Sequence, residues 1–423
     1  MKSLTQCLLA GMLMGAAHLH PAACPIAFAG LALLIGTIAR CPQPRMAVVG
    51  WLLAAILAHA VALFWLVTAA ELMLSISSPR AFSLVALGWI GGGVLTGAPG
   101  AIGLLVLGQR ARPALSLLWI GGECLCEQIT QFPGGHLVYG QWSNPVVLRS
   151  LSMVGWWPTT LGCVMVAEVL VILWGWRPLL ATLTCALGCL GAIIPSEVPR
   201  DPVWLAKQLG AWPMTTFVAS EATWPSGVDL IIWPEVTERD VIRGEEGLLS
   251  PPVGTSMGET GLVHLRGGLL QTQNGTMNAA FLVNELGEAY FAHGKHWLAP
   301  VGESPLLGWA PMNMSLIPGD TSPTIAVHGR VVLIVICFEA YVRDLFAIGL
   351  RSKPTLVAAM ASDRPLGGSH VAVMQQIGVL ALRAAEYRIP VVRASKGGQS
   401  AIIDDLGHVN LVKPYMEGSS QRR

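Results

Sequence analysis

Val331-Val-Leu-Ile-Val-Ile-Cys-Phe-Glu339 decides how this chain is read. Its first six residues are aliphatic without interruption, the pattern of a strand buried on both faces. A thiol, Cys337, stands where that strand stops. The other eight cysteines (Cys7, Cys24, Cys41, Cys124, Cys126, Cys163, Cys185 and Cys189) all lie in the hydrophobic N-terminal half. Cys337 therefore has no disulfide partner within its own half. A lone thiol at a strand end is either a small core residue or a nucleophile.

Moving outward, two further strands end on a charge. Asp229-Leu-Ile-Ile-Trp233 is stopped by Pro234 and followed by Glu235. Gly287 to Ala292 is followed by Gly294-Lys295. In layered α/β folds the carboxyl ends of strands converge on one edge, where sites form. Singly, Glu235 and Lys295 read as solvated surface charges. Together with Cys337 they make coherent chemistry. Glu235 can take the thiol proton and return it to a leaving group. Lys295 can lower the thiol's pKa and donate to the oxyanion of a tetrahedral intermediate.

The rest of this half alternates strand and helix signals. Gly261 to Leu270 predicts a strand, and Met277 to Val283 forms a hairpin with 287–292 through Asn284-Glu-Leu-Gly287. Thr355 to Ala361 is another strand. Met374, Ile377, Leu380 and Ala384 recur at helical spacing between Val371 and Arg388. Val391 to Ala394 and Ser400 to Ile403 are the last strands, the latter turning at Asp404-Asp-Leu-Gly407. The class is a mixed α/β sandwich. There is no GxGxxG, phosphate loop or HExxH. His293 and His296 lack an evident third ligand, and a serine triad lacks its GxSxG elbow. No metal or cofactor is expected. Loops 241–260 and 308–326, rich in Gly and Pro, are candidate lids.

The first half is a different material. The chain of 423 residues is 53% hydrophobic and only 12% charged, against about 25% charged in soluble domains. A net charge of +1 gives no argument for nucleic-acid binding. Composition shifts near Pro195, so we expect a transmembrane helical domain over 1–195, an α/β domain over 196–415 and a polar tail over 416–423. Apolar segments at 4–18, 22–39, 46–68, 81–108, 114–130, 150–174 and 178–194 predict six or seven spans. With the N-terminus inside, Lys2, Arg40, Arg45, Arg110, Arg112 and Arg177 fall inside, and Arg80 and Arg149 outside, as the positive-inside rule asks. Seven crossings put the polar half outside the cytoplasm; six put it inside. Gly88, Gly92, Gly93, Gly97, Gly100 and Gly103 give small-residue spacing for close packing in the bundle or in a dimer. Glu123, Glu127 and Glu168 at membrane depth require a partner or a cavity. Trp142, Trp156, Trp157, Trp174 and Trp176 read as interfacial belt residues.

The order Glu235, Lys295, Cys337, in WPE, GK and ICFE contexts, resembles the carbon–nitrogen hydrolase (nitrilase) superfamily. Lys295-His-Trp-Leu-Ala-Pro-Val-Gly-Glu303 is more narrowly similar to the membrane apolipoprotein N-acyltransferases. So are Leu382-Arg-Ala-Ala-Glu-Tyr-Arg388, Val391-Val-Arg393, Gln399-Ser-Ala-Ile-Ile-Asp404, and Trp119, Glu123 and Phe132-Pro133 in the membrane half. The resemblance implies a polytopic α-helical membrane bundle followed by a nitrilase-type four-layer α/β sandwich, in the bacterial inner membrane with the catalytic domain periplasmic. It implies acyl transfer from a phospholipid to an amine of a lipoprotein through a Cys337 thioester. Glu235 would be base then acid, Lys295 the oxyanion donor, and Glu303 a second carboxylate orienting Lys295 or Cys337. Trp233, Phe338 and Glu339, beside these residues, are assigned to substrate binding. Met360-Ala-Ser-Asp-Arg-Pro365, Ser395-Lys-Gly-Gly398 and Phe338, where the family has tyrosine, depart from its pattern. The chain also resembles the TraB conjugal transfer proteins of Ti-type plasmids, which would make a conjugation protein the acceptor. A membrane-tethered amidase and a non-catalytic scaffold of a transfer apparatus are the rival readings.

Overall fold

Proline and glycine set the helix boundaries of the N-terminal part. The computed structural model describes residues 2–132, 134–174, 230–236, 242–243, 263–284, 286–300, 302–304, 316–319 and 322–412. Eight helices come first: α1 (Lys2–Ala16), α2 (Ile26–Arg40), α3 (Pro44–Ala62), α4 (Leu66–Leu74), α5 (Ser78–Leu107), α6 (Leu115–Thr130), α7 (Pro145–Val154) and α8 (Trp156–Trp174). Pro44, Pro79 and Pro145 occupy first turns, where the missing N–H has no intrahelical partner to lose. Gly155, at φ +78°, breaks α7 from α8. The predicted single span 150–174 is therefore two helices, and 46–68 likewise divides at Leu63 into α3 and α4.

Four described segments are long and apolar enough to cross a membrane: Pro21–Arg40, Pro44–Ala62, Ser78–Leu107 and Trp156–Leu173. Helices α1 and α6 have 15 and 16 residues. At about 1.5 Å per residue they fall short of a hydrocarbon core of about 30 Å. The expected segment 178–194 lies outside the described residues. All of the glycine stripe but Gly88, which faces open space, packs within the bundle: a Cβ on Gly93 would sit 2.4 Å from Ile56 Cα, and one on Gly100 would sit 2.4 Å from the Trp51 indole nitrogen. Trp51 Nε1 donates to Gly97 O at 3.1 Å. Two expected belt residues, Trp142 and Trp156, are instead buried, whereas Trp157 is exposed. The side chains of Trp174 and Trp176 are outside the described set.

The three acidic residues expected at membrane depth each have a partner. Glu123 Oε1 accepts from Trp119 Nε1 at 3.0 Å and Leu137 N at 2.7 Å. Glu168 accepts from Ser116 Oγ. Glu127 lies 3.9 Å from Arg383.

Eleven described strands form the second part: β1 (Leu230–Ile232), β2 (Ile242–Arg243), β3 (Val263–Thr272), β4 (Gly275–Val283), β5 (Ala289–Gly294), β6 (Thr324–Val327), β7 (Arg330–Ile336), β8 (Leu356–Ser362), β9 (Val391–Lys396), β10 (Ser400–Ile403) and β11 (Val409–Val412). One sheet runs β1-β3-β4-β5, with β2 also on β3; the other runs β11-β10-β9-β8-β7-β6. Strands β7, β8 and β9 are parallel, and their apolar runs fit a sheet covered on both faces. One buried cluster takes in Leu230, Ile232, Leu265 and Leu282 of the first sheet and Val332, Ile334, Ile336, Ala358 and Val392 of the second. Alternate residues of β7 face the other way, and Leu333 there meets Gly349 of the short helix α9 (Arg343–Gly349).

The predicted helix 371–388 is α10 (His370–Tyr387). The chain divides into two compact units, and α10 belongs with α1–α8, not with the strands around it. Within that unit Gln375 Nε2 donates to His18 O and Ala62 O at 3.1 and 2.9 Å. Arg383 is fully buried and donates to Tyr139 Oη at 2.6 Å and Glu386 at 2.9 Å. Of the candidate lids, 244–260 and 308–315 lie outside the described residues.

Candidate active site

Glu235 follows β1 and is held by backbone on both sides. Its N–H faces Ala361 O at 3.4 Å, and its Oε2 accepts from Ser362 N at 3.0 Å. The next residue, Val236, has φ +47°, so the chain turns sharply past it. Gly267 of β3 makes room for this turn. A Cβ there would lie 2.7 Å from Pro234 O and 2.8 Å from Val236 N.

Lys295 follows β5. Its N–H donates to Asn278 O, and its carbonyl accepts from Gly319 N, both at 2.8 Å. Gly294 and Gly319 touch backbone to backbone, where a Cβ on Gly319 would be 2.4 Å from Gly294 Cα. The ammonium is buried and lies between two carboxylates, 3.2 Å from Glu235 Oε1 and 2.8 Å from Glu303. Glu303 is anchored by Ala299 N at 2.8 Å. Burial alone would push this ammonium down, but Glu235 and Glu303 outweigh it and hold its pKa well above the usual lysine range. Lys295 is therefore a fixed cation. Two of its three N–H donors point at the carboxylates, which leaves one for a third acceptor.

Asn278 was not among the sequence candidates. Its Nδ2 donates to Glu235 Oε1 at 2.7 Å and to Glu303 Oε1 at 3.4 Å, so it bridges both carboxylates from the middle of β4. The available signal was one amide in the apolar run Met277-Asn-Ala-Ala-Phe-Leu-Val283.

Cys337 follows β7 with φ +50°, a left-handed conformation that is uncommon outside glycine. Such strain persists only where neighbours enforce it, and here Glu339 does so. The Glu339 carboxylate is fully buried. It accepts from Ile336 N at 2.9 Å, His296 N at 2.8 Å, Trp297 N at 3.4 Å and His293 Nε2 at 3.2 Å. It ties the cysteine turn to the lysine loop, and among the described residues both of its oxygens are taken up by these four donors. His296 Nδ1 faces Gly319 O at 2.7 Å. Both histidines of the HxxH pattern are thus engaged separately.

Burial pushes the Cys337 thiol up, as do Glu235, Glu303 and Asp363; Lys295 pulls it down. The upward causes win. The net effect is opposite to the lowering by Lys295 expected from the sequence, and the Cys337 thiol rests protonated. Of the residues assigned to substrate binding, Trp233 is buried, donates from Nε1 to His264 Nδ1 at 3.0 Å and has Arg266 4.7 Å above its ring. Phe338 is partly exposed, with its ring 5.8 Å from Tyr341.

No family model matches the chain. Curated relatives do. The chain is 29% identical over 202 residues to an apolipoprotein N-acyltransferase of Geobacter metallireducens, covering 45% of this chain and 38% of that one. It is 24% identical over 345 residues to one from Photobacterium profundum, covering 72% and 64%. A Vibrio vulnificus protein of the same name is 23% identical over 355 residues, covering 78% and 65%.

The chain is similar to apolipoprotein N-acyltransferases.

It spans less than two thirds of the length of each of these relatives. The conjugal-transfer reading draws no support from them. Solved structures that pair with the chain include an amidase of the nitrilase superfamily from Nesterenkonia (16% identity, TM-score 0.32, 44% of this chain and 74% of that one). Another is the Saccharomyces cerevisiae nitrilase-superfamily protein Nit3 (14%, 0.32, 43% and 71%).

The acyltransferase-like segments named from the sequence fall partly outside the Glu-Lys-Cys cluster. Arg393 pairs with Asp363 through two bonds, at 2.6 and 3.1 Å. Asp363 also accepts from Ser395 Oγ at 2.6 Å and Gln399 N at 3.1 Å. Both ions are about 1% exposed. Asp363 directly follows Ser362, whose N–H holds Glu235. The ion pair therefore anchors the strand end that orients the carboxylate.

Proposed function

We propose that this protein is a membrane-bound N-acyltransferase that moves an acyl chain from a phospholipid to an amine of a lipoprotein, through a thioester on Cys337. The observation that carries the reading is the buried Glu235–Lys295–Glu303 arrangement in whose field the Cys337 thiol lies. The names of the relatives, and four helices able to cross a membrane, supply the lipid context. We further place it in a bacterial inner membrane with the strand unit on the periplasmic side, which a phosphatase fused after Arg423 tests by its activity.

Glu235 accepts the Sγ proton as Cys337 Sγ attacks the ester carbonyl of the phospholipid. The tetrahedral oxyanion takes the remaining Lys295 N–H donor. The carbon–oxygen bond breaks, and Glu235 returns the proton to the alkoxide, releasing a lysophospholipid. In the second half the acceptor amine attacks the thioester carbonyl and Glu235 takes the amine proton. The carbon–sulfur bond breaks, and the proton passes to the sulfur. Glu303 and Asn278 hold Lys295 and Glu235 in place throughout.

Intact mass after incubation with phospholipid tests the scheme. The expected result is an acyl adduct that neutral hydroxylamine removes and that is absent in Cys337→Ala, with turnover down by at least about 10³-fold. An adduct that persists in that variant would refute the nucleophile. A folded protein with no adduct would favour the amidase reading, in which water replaces the amine. Glu235→Gln should slow acylation more than Glu303→Gln, because only Glu235 handles the proton.

A further inference from the structure

The outer face of α7 takes no part in the chemistry above. This helix has 10 residues, a length of about 15 Å, half of what a span needs. Asn144 caps it, its Oδ1 accepting from Val146 N at 3.1 Å. Val147, Leu148 and Leu151 form its buried face, and α10 packs against the helix. The opposite face is apolar and uncovered: Val146 is 75% exposed, Met153 73% and Val154 55%. Among these sits Arg149, also exposed, with no ionic or hydrogen-bond partner for its guanidinium among the described residues. Pro145, Val146, Arg149, Ser150, Met153 and Val154 line an open depression of about 500 Å³.

Position identifies what covers this face. After Gly155 the chain enters α8, which is long and apolar enough to span a membrane, with Trp157 exposed at its start, the place where indoles sit at the headgroup level. Helix α7 therefore lies at one membrane boundary. There an apolar face enters the acyl region while an arginine extends to the headgroups.

We propose that the outer face of α7 is a subsite for an anionic phospholipid, whose phosphate pairs with Arg149 while its acyl chains lie along Val146, Met153 and Val154. The charge is complementary, and guanidinium binds phosphate through paired N–H donors. The proposal rests on the chain's being embedded in a membrane and not on acyl transfer, so its test reads lipid capture and is blind to turnover.

The test uses the full chain with a benzophenone amino acid at Met153, in nanodiscs of phosphatidylcholine mixed with phosphatidylglycerol. Irradiation is followed by mass analysis of the lipid adducts. The same probe at Ile172, 64% exposed near the far end of α8, reports bulk lipid. The expected result is enrichment of phosphatidylglycerol at Met153 over Ile172 by about fivefold, the factor contributed by one basic residue at an anionic surface. Arg149→Gln should abolish the enrichment and Arg149→Lys should keep most of it; position 149 is exposed, so folding is preserved. Phosphatidylglycerol captured only in proportion to its abundance, adducts to protein, or enrichment unchanged in Arg149→Gln would each overturn the proposal.

Discussion

At the residue scale the protonation state of Cys337 is the sharpest prediction. Its thiol is pushed above the ordinary value of 9.0 by burial first and by Glu235 next. A raised pKa keeps the neutral thiol at every pH below it. Alkylation of Cys337 by iodoacetamide should therefore be slow at neutral pH, still slow at 9.0, and climb only beyond. A rate that levelled off below neutrality would show a preformed thiolate. The variants separate two roles of Glu235. Removing its charge in Glu235→Gln should move the alkylation profile to lower pH, because a charge that raised the thiol is gone. Acyl transfer should nevertheless fall, because the proton acceptor is gone. Lys295→Met should move the profile to higher pH. The buried Arg393–Asp363 pair gives a second residue-scale prediction. Asp363→Ala removes the carboxylate from a buried guanidinium, a change that costs about 3–5 kcal/mol. The expected outcome is a lowered denaturation midpoint, read as exposure of Cys337 to a thiol reagent in guanidinium.

At the element scale the site depends on close backbone approaches. Gly267→Ala places a methyl 2.7 Å from Pro234 O, so the turn carrying Glu235 has to move. A displacement of about 1 Å at a reacting group costs about 10²-fold; kcat should drop by that order while the strand unit stays folded by circular dichroism. This dependence also marks where the sequence was legible. The strands ending at Trp233 and Ile336 could be read because aliphatic runs are stopped by a proline or a change to charge, and the one ending at Ala292 because it pairs back across a turn and runs into a glycine, and so Glu235, Lys295 and Cys337 could be placed. Asn278 could not, because an amide within a strand carries no sign of which face it shares. Asp363 and Arg393 stand 30 residues apart, and only the β8–β9 pairing brings them together. The burial of Glu339 was hidden for a related reason. A charge one residue past a partly exposed ring looks accessible, and only the four donors around it show that it is internal. The helix breaks at Leu63 and Gly155 were hidden because hydropathy continues unchanged across them.

At the scale of the whole molecule the sequence suggested a simple succession, helices before about residue 195 and an α/β domain after it. The structure gives the helical unit one more member. The chain leaves β8, forms α10 as part of the helical unit, and returns to β9. The bonds that place α10 there are specific. Gln375 bridges carbonyls of His18 and Ala62 and accepts from Trp65 Nε1 at 3.0 Å. A Cβ on Gly378 would be 2.5 Å from the Trp142 ring, and Arg383 lies 5.1 Å from the centroid of Trp156. A chain begun at residue 196 would keep α10 but strip these partners away, leaving a buried arginine and an apolar helix face without cover. Unpaired buried polar groups and exposed apolar patches both disfavour a soluble folded state. Such a fragment should therefore aggregate without detergent, as gel filtration would show. A monodisperse, detergent-free fragment that alkylates at Cys337 with the full chain's pH profile would mean that the strand unit and its site stand without the helices. The amidase reading, which needs no membrane half, would then gain the ground that the acyltransferase reading lost.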